Sequence, residues 1–515
     1  MRDILICNAK VYDGSGSEGQ VQDVLIRDGI IAGIGHYSVT SGTEVIDGKD
    51  QVLCPGFIDS HAHSDLLYPE CRNAESKVMQ GVTTDISGLC GMSRYPCSKE
   101  YHGDLKRYIG DFIPPNLICD LPIGDFSTMA RQMSQAQNAT NIGCFVGHGT
   151  LRIYVMGMNS EPVSSSGLAK MKGKLRQAME QGALGMSSGL AYAPGYFASV
   201  DELAELCKEL VPFNGIYDTH IRDEGPLAWR ALEEAHEIAC RSKCRLHISH
   251  HKVIGAKNRG FAERSLALFE KWRKEGIDVS FDVYPYCYGS TSLGALLPKW
   301  IYDAPKDEMT KRRDDILKWL NGEENLGSFC GWDNVWVDGK SIAMLAEERN
   351  ILSAQVIVDL FFEMDGALCL YRCVDRDDLD LLVEDNYCSI GSDGYPRHYN
   401  GATAFGHPHP RSYGTFPKFL REYSLERKQL PLSSAIAKVT SFPAKYFGIK
   451  DRGLIRIGNF ADLVLFNPRK LHEISNYNTP NVPPYGISYV MVNGQFAVRK
   501  GSYTGICSGR FLRRN

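Results

Sequence analysis

In this 515-residue chain, histidine, cysteine and aspartate recur where a short apolar run has just ended. His61 and His63 follow Gly56-Phe57-Ile58-Asp59-Ser60, and Cys90 sits in Gly88-Leu89-Cys90-Gly91. His220 closes the run Gly215–Thr219, His250 follows Arg245–Ser249, and Asp393 stands in Ile390-Gly391-Ser392-Asp393-Gly394. Two imidazoles spaced two apart on an extended strand point to the same side, which is how a strand offers both to one ion. Nitrogen, sulfur and oxygen donors together suit zinc, which accepts all three at about 2.0–2.3 Å. The chemistry expected is therefore metal-assisted.

Each of these residues also has a plainer reading. An isolated His-x-His is often a surface or core feature, Cys90 is one of sixteen cysteines, and an aspartate before glycine forms turns. Position separates the readings, because polar groups cap seven of eight such runs. His148 closes the third run and reads equally well as structural. His251 alternates with His250 and faces away from the ion, and Arg222-Asp223-Glu224 reads as a salt-bridged loop.

The elements that would bring these residues together are eight apolar runs: Pro55–Asp59, Gly81–Ser87, Ile142–Gly147, Ala183–Ser188, Gly215–Thr219, Arg245–Ser249, Ile277–Val283 and Tyr387–Ser392. Amphipathic patterns such as LAKMKGKLRQAMEQG, DELAELCKELV and LAWRALEEAHEIACR separate most of them. Strand–helix repetition implies parallel sheet. Eight repeats predict an α/β fold of the (β/α)₈ TIM-barrel type, in which the C-terminal strand ends converge on one face. The long gap before the eighth run, with its charged stretch DAPKDEMTKRRDDILKWLNGEENLG, predicts an inserted helical, lid-like segment near 295–350. At both ends, runs such as VQDVLIRDGIIAGIG and YVMVNGQFAVRKG alternate β-branched residues with Asp-Gly or Asn-Gly turns. They predict a small β-sandwich built from both termini. The expected division is 1–54 and 451–515 for the β domain and 55–450 for the barrel.

With 43% hydrophobic and 23% charged residues, the chain has the composition of a soluble globular protein. A formal charge of -4 offers no basic surplus for nucleic acid or an anionic membrane, so a small molecule is the expected partner. The opening MRDILICNAKVYDG turns polar too early for a secretion signal, and no apolar run approaches the roughly 18 residues of a membrane span. Sixteen scattered cysteines without CxxC spacing point to reduced thiols and a cytoplasmic setting.

Taken together, PGFIDSHAH, the later single histidines and the late aspartate resemble the metal-dependent amidohydrolase superfamily. QGVTTDISGLCG, GHGTLR, SSGLAYAPG, THIRDEG, ISHHK, DVYPYCYGSTSL, GSDG, HPRSYGTFPKFL and GNFADLVLFNP narrow the resemblance to the D-aminoacylase (N-acyl-D-amino-acid deacylase) family, nearly end to end. The resemblance implies zinc held tightly by Cys90, His220 and His250, with a weaker second site near His61, His63 and Asp393. It implies that Cys90 replaces the carboxylated lysine that bridges two metals elsewhere in the superfamily. Asp393 is then the expected proton-transfer group. Lys252, Tyr284 and Arg411 would hold the substrate carboxylate, and Tyr192 and Ser290 would line the pocket. Two departures stand out. Leu89 occupies a position where the family usually has asparagine, and TSLGALLPKW lacks the arginine expected of members that take acidic side chains. The implied substrate is an N-acyl-D-amino acid with a neutral or apolar side chain; the preference for D rests on the resemblance alone. The competing readings are a hydantoinase- or dihydroorotase-like cyclic-amide hydrolase and a metal-free scaffold.

Overall fold

The computed structural model describes residues 3–514 except 69, 111–112, 114–120, 256–257, 304–305, 323–324, 326–329, 365–367 and 402–406. Eight parallel segments form the central ring: β1 (Phe57–Asp59), β2 (Val82–Ser87), β3 (Asn141–Cys144, continued by Val146–Gly147), β4 (Gly185–Gly189), β5 (Ile216–His220), β6 (Arg245–Ile248), β7 (Val279–Val283) and β8 (Cys388–Ile390). Nearly every residue in them is buried, as expected where helices cover a parallel sheet. The ring is thus the TIM barrel expected from the eight runs. It closes between β8 and β1 through few bonds: the Ser60 amide donates to the Ile390 carbonyl at 3.4 Å, and the Asp393 amide to the His61 carbonyl at 2.8 Å.

The covering helices follow from residue spacing. In Ala228–Ser242 the buried residues are Ala228, Ala231, Leu232, Ala235, Ile238, Ala239 and Ser242, one stripe of a 3.6-residue period. The helix ends at Lys243, which is in the left-handed conformation.

Strands from both termini share one nine-stranded sheet, in which Val52–Pro55 pairs antiparallel with Leu463–Phe466. Its first strand splits its partners along its length. Ile4–Cys7 pair with Glu44–Asp47, whereas Lys10 and Val11 pair with Val52 and Leu53. Ile4, Ile6, Val24, Ile31, Leu463 and Met491 belong to the separate core of this sheet. The last strand, Phe511–Leu512, leaves it and pairs with Ile142 and Gly143 of β3.

Between β7 and β8 lies the insertion. It contains helices Arg313–Leu320, Ile342–Arg349 and Ser353–Glu363, and residues 304–305, 323–324 and 326–329 of it lie outside the described residues. The helices are accompanied by an antiparallel sheet of Tyr288–Ser292, Leu368–Arg372, Val335–Val337 and Lys340–Ser341, which hydropathy patterning did not anticipate. Among the described residues no helix is long and apolar enough to cross a membrane.

Candidate active site

The strand ends carry the donors inward to one point. His61 follows β1, and its Nε2 lies 3.4 Å from Cys90 Sγ; His250, beyond β6, brings its own Nε2 to 3.4 Å from the same sulfur. His63 Nε2 is 3.1 Å from Asp393 Oδ1, and His61 Nε2 is 3.8 Å from it. Donor atoms of His61, Cys90, His250 and Asp393 all lie within 4.8 Å of one another, as do those of His220, Glu224 and His250. The His220 and His250 rings stand edge to face, with centroids 4.5 Å apart.

Three of these residues hold an unusual backbone. Cys90, His250 and Asp393 have φ of 51°, 32° and 47°, in the left-handed region that costs a non-glycine residue about 1–2 kcal/mol. Aspartate and histidine tolerate such geometry better than most residues, whereas cysteine gains nothing local from it. Strain of this kind persists where the surroundings over-determine it, characteristically at functional sites. The chain around Cys90 is also tightly enclosed: at Gly91, φ is 75° and an added Cβ would lie 2.5 Å from the Gly189 nitrogen.

The imidazoles are oriented from behind. Asp282 on β7 accepts from His61 Nδ1 at 3.2 Å, from His247 Nε2 at 3.1 Å and from the His250 amide at 3.0 Å. Behind His250, Nδ1 lies 3.1 Å from Lys252 Nζ and 3.2 Å from Glu224 Oε1. Carboxylates placed so turn the opposite ring nitrogen toward the centre. Burial pushes the Cys90 thiol up, but the facing His61 and His250 hold it well below the ordinary thiol range. Burial likewise raises the Asp393 carboxyl, and Arg411, with His250 and His63, brings it well below the usual carboxylate value.

A metal ion fits this set. Nδ1 of His220 and Nδ1 of His63 are buried without hydrogen-bond partners. The mixture of thiolate, imidazole and carboxylate is a zinc donor set.

Every residue expected to hold substrate reaches the same cavity of about 40 Å³, lined by His63, Cys90, Tyr192, His220, His250, Lys252, Tyr284, Ser290, Asp393 and Arg411 among others. Arg411 opens the helix Arg411–Phe419; its Nη1 lies 2.9 Å from Asp393 Oδ2 but off the hydrogen-bond line, and its guanidinium stacks over Tyr284 at 4.8 Å. Lys252 is already engaged, donating to Glu224 Oε1 at 2.6 Å. Tyr192 bonds through its hydroxyl to Thr291 at 3.2 Å. His251 turns away among Phe261, Phe269 and Phe281 and bonds to Ser265. Leu89 packs against an apolar cluster with Ile58, Ile86 and Phe145.

The geometry is matched by kinship. The sequence profile of the amidohydrolase family matches residues 389–498. The D-aminoacylase of Alcaligenes xylosoxydans xylosoxydans is 32% identical over 518 residues, covering 99% of this chain and 98% of that protein. The chain belongs to the D-aminoacylase family. A second family relative, the N-acyl-D-glutamate deacylase of the same organism, is 31% identical, covering 100% of this chain and 97% of that protein. The solved N-acyl-D-glutamate deacylase of Bordetella bronchiseptica, complexed with zinc and a phosphonate mimic of the tetrahedral intermediate, matches with a TM-score of 0.84 at 27% identity, over 99% of each chain.

In this D-aminoacylase-family site, sequence reasoning missed Met92, Thr291, Leu368, Tyr371 and Tyr395, which also line the cavity. Thr291, Leu368 and Tyr371 come from the inserted sheet. One signal for that sheet was present: Asp338-Gly339, with φ of 46° and 82°, turns between Val335–Val337 and Lys340–Ser341. Glu224 was read as a salt-bridge residue and makes one, yet it also lies against His250.

Proposed function

We propose that this protein hydrolyses the amide bond of N-acyl-D-amino acids, releasing a carboxylic acid and a free D-amino acid with a neutral or apolar side chain. The carrying observation is the gathering of His61, Cys90, His250 and Asp393 within 4.8 Å in a chain akin over its full length to D-aminoacylase. Cys90, His220 and His250 are the proposed holders of a tightly bound zinc, with His61, His63 and Asp393 offering a weaker second site. Zinc bound there supplies Lewis acidity, polarising the acyl carbonyl and lowering the pKa of water to about 7.

The chain's own groups do the rest. Asp393 accepts a proton from the attacking water on its carboxylate and returns it to the leaving nitrogen. Arg411 presents a planar fork to the substrate carboxylate. Burial keeps Tyr284 protonated, so its hydroxyl can donate a hydrogen bond to that carboxylate. Lys252, neutralised by Glu224, contributes less charge than Arg411. The side-chain preference is supported by the remaining wall: Met92, Leu368, Tyr371 and Tyr395 are apolar or aromatic, Thr291 is uncharged, and among the described residues Lys252 and Arg411 are the only lysine and arginine lining the cavity. The same reading assigns the chemistry to residues 55–450 and a supporting role to 1–54 and 451–515. The cysteines found free suit a reducing, cytoplasmic setting.

The test is turnover of paired N-acetyl-D- and N-acetyl-L-amino acids (Met, Leu, Glu, Asp), with zinc measured on the same sample. Amine release from N-acetyl-D-Met and D-Leu well above the L forms and the acidic D forms is expected. Equal rates for L substrates, or a preference for D-Glu, would overturn the assignment.

A further inference from the structure

We propose that Lys77 is a positioning residue for the reaction: with Asp59 and Ser392 it forms a buried clamp that fixes where the Asp393 carboxylate stands. Lys77 lies in the short helix Glu75–Val78, does not line the cavity and is fully buried. Its ammonium donates to Asp59 Oδ2 at 2.5 Å, to Ser392 Oγ at 2.8 Å and to the Gly394 carbonyl at 3.3 Å. The last two belong to the residues on either side of Asp393.

Asp59 completes the grip. Its Oδ1 accepts the Ser392 amide at 2.7 Å and its Oδ2 the Ser392 hydroxyl at 2.6 Å, while the Gly394 amide donates to Ser392 Oγ at 3.1 Å. The Ser392 hydroxyl therefore gives its single proton to Asp59 and receives two hydrogen bonds, which satisfies it fully. With Ser392 and Gly394 tied in this way, Asp393 is held between them at its positive φ. Asp59 Oδ1 also lies 3.3 Å from the His61 amide, so one carboxylate anchors both sides of the seam where β8 meets β1. Asp85, 3.7 Å from Lys77, shares the same buried charge. Charge-assisted bonds in a water-free interior are short and directional, the property needed to hold a reacting carboxylate in place.

A misplacement of about 1 Å in a reacting group can cost a hundredfold in rate. The proposal rests on the Asp393 role given above, and the experiment separates the two. On purified zinc-loaded enzyme, Ser392→Ala should lower kcat about ten- to a hundredfold, with KM within about twofold and zinc content and melting temperature near wild type. Lys77→Met should lower kcat at least as far; if it does not fold, the double replacement Lys77→Met with Asp59→Asn removes the ammonium together with the carboxylate it bonds, leaving Asp85 with its Ser64 and Thr140 hydrogen bonds. A purely structural cluster would lower the melting temperature and the folded yield but leave kcat per zinc-loaded site unchanged, and that result overturns the proposal. Asp393→Asn is the control: if it retained wild-type kcat, the Asp393 role would fail whatever the clamp variants do, and the clamp would have nothing to position.

Discussion

Two regions of this molecule contain the same three groups, a histidine, a carboxylate and an arginine, packed together at the end of a barrel strand. At one, Glu202 takes His148 Nε2 at 2.7 Å and Arg152 Nη1 at 2.5 Å. At the other, Asp393 Oδ1 takes His63 Nε2 at 3.1 Å, and its Oδ2 lies 2.9 Å from Arg411 Nη1. Both sets are buried. Each set leaves two buried nitrogens without a hydrogen bond, His148 Nδ1 and Arg152 Nε in the first, His63 Nδ1 and Arg411 Nη1 in the second. The first lies on relaxed backbone: Glu202 sits in the helix Val200–Cys207 behind an ordinary Ser199 cap, and Arg152 also donates to the Glu161 carbonyl. The second is strained. Asp393 has a positive φ, and it and Arg411 face a cavity shared with a cysteine thiolate. The comparison teaches that group identity does not make a site. A triad on relaxed backbone away from the cavity locks structure, whereas one held at a positive φ on the cavity wall is placed to meet a ligand.

The widest separation between the two regions should come from Asp393→Asn against Glu202→Gln. The first is expected to lower kcat by about 10²–10⁴ with zinc retained, the second to leave kcat within about threefold. Steady-state kinetics with metal analysis decides it. Cys90→Ser comes next, since it removes the thiolate from the strained region; zinc affinity, measured by competition with a chromophoric chelator, should weaken at least about a hundredfold. Arg411→Met should follow, raising KM about ten- to a hundredfold with a smaller change in kcat, whereas Arg152→Met should leave KM unchanged.

The smallest effect concerns the relaxed region and pH. Burial raises the Glu202 carboxyl, but His148 and Arg152 bring it below its ordinary 4.5. A depressed carboxyl contributes stability that is complete above that value and is lost as pH falls through its folded value. Burial holds His148 below its ordinary 6.5, so the unfolded chain binds that proton first and stability also falls as pH drops beneath 6.5. Melting temperature should therefore decline from pH 7 to pH 4 in the wild type. Glu202→Gln should start a few degrees lower and lose less below pH 4.5. A variant that tracked the wild type throughout would show that Glu202 carries no such linkage.

Much of the site was legible before any coordinates because barrel topology places strand ends on one face. His61, His63, Cys90, His220, His250 and Asp393 each follow a run that became a strand, and all six gather. What stayed hidden has physical causes. Asp282 sits inside Val279–Val283 and looks like any buried strand position; its role appears once His61, His247 and His250 converge on it. Leu368 and Tyr371 reach the cavity from a strand paired antiparallel with Tyr288–Ser292, a contact spanning about eighty residues that no local period encodes. Lys77 carried no motif of its own.

By itself the sequence determined the donor types, the alternation that makes a barrel and the family, because these depend on local periodicity and on strings of adjacent residues. The tertiary structure alone decided which of two chemically equivalent triads is strained and open. That choice depends on the closing seam between β8 and β1, where the Ser60–Ile390 and Asp393–His61 backbone bonds leave Asp393 at a positive φ on the cavity wall.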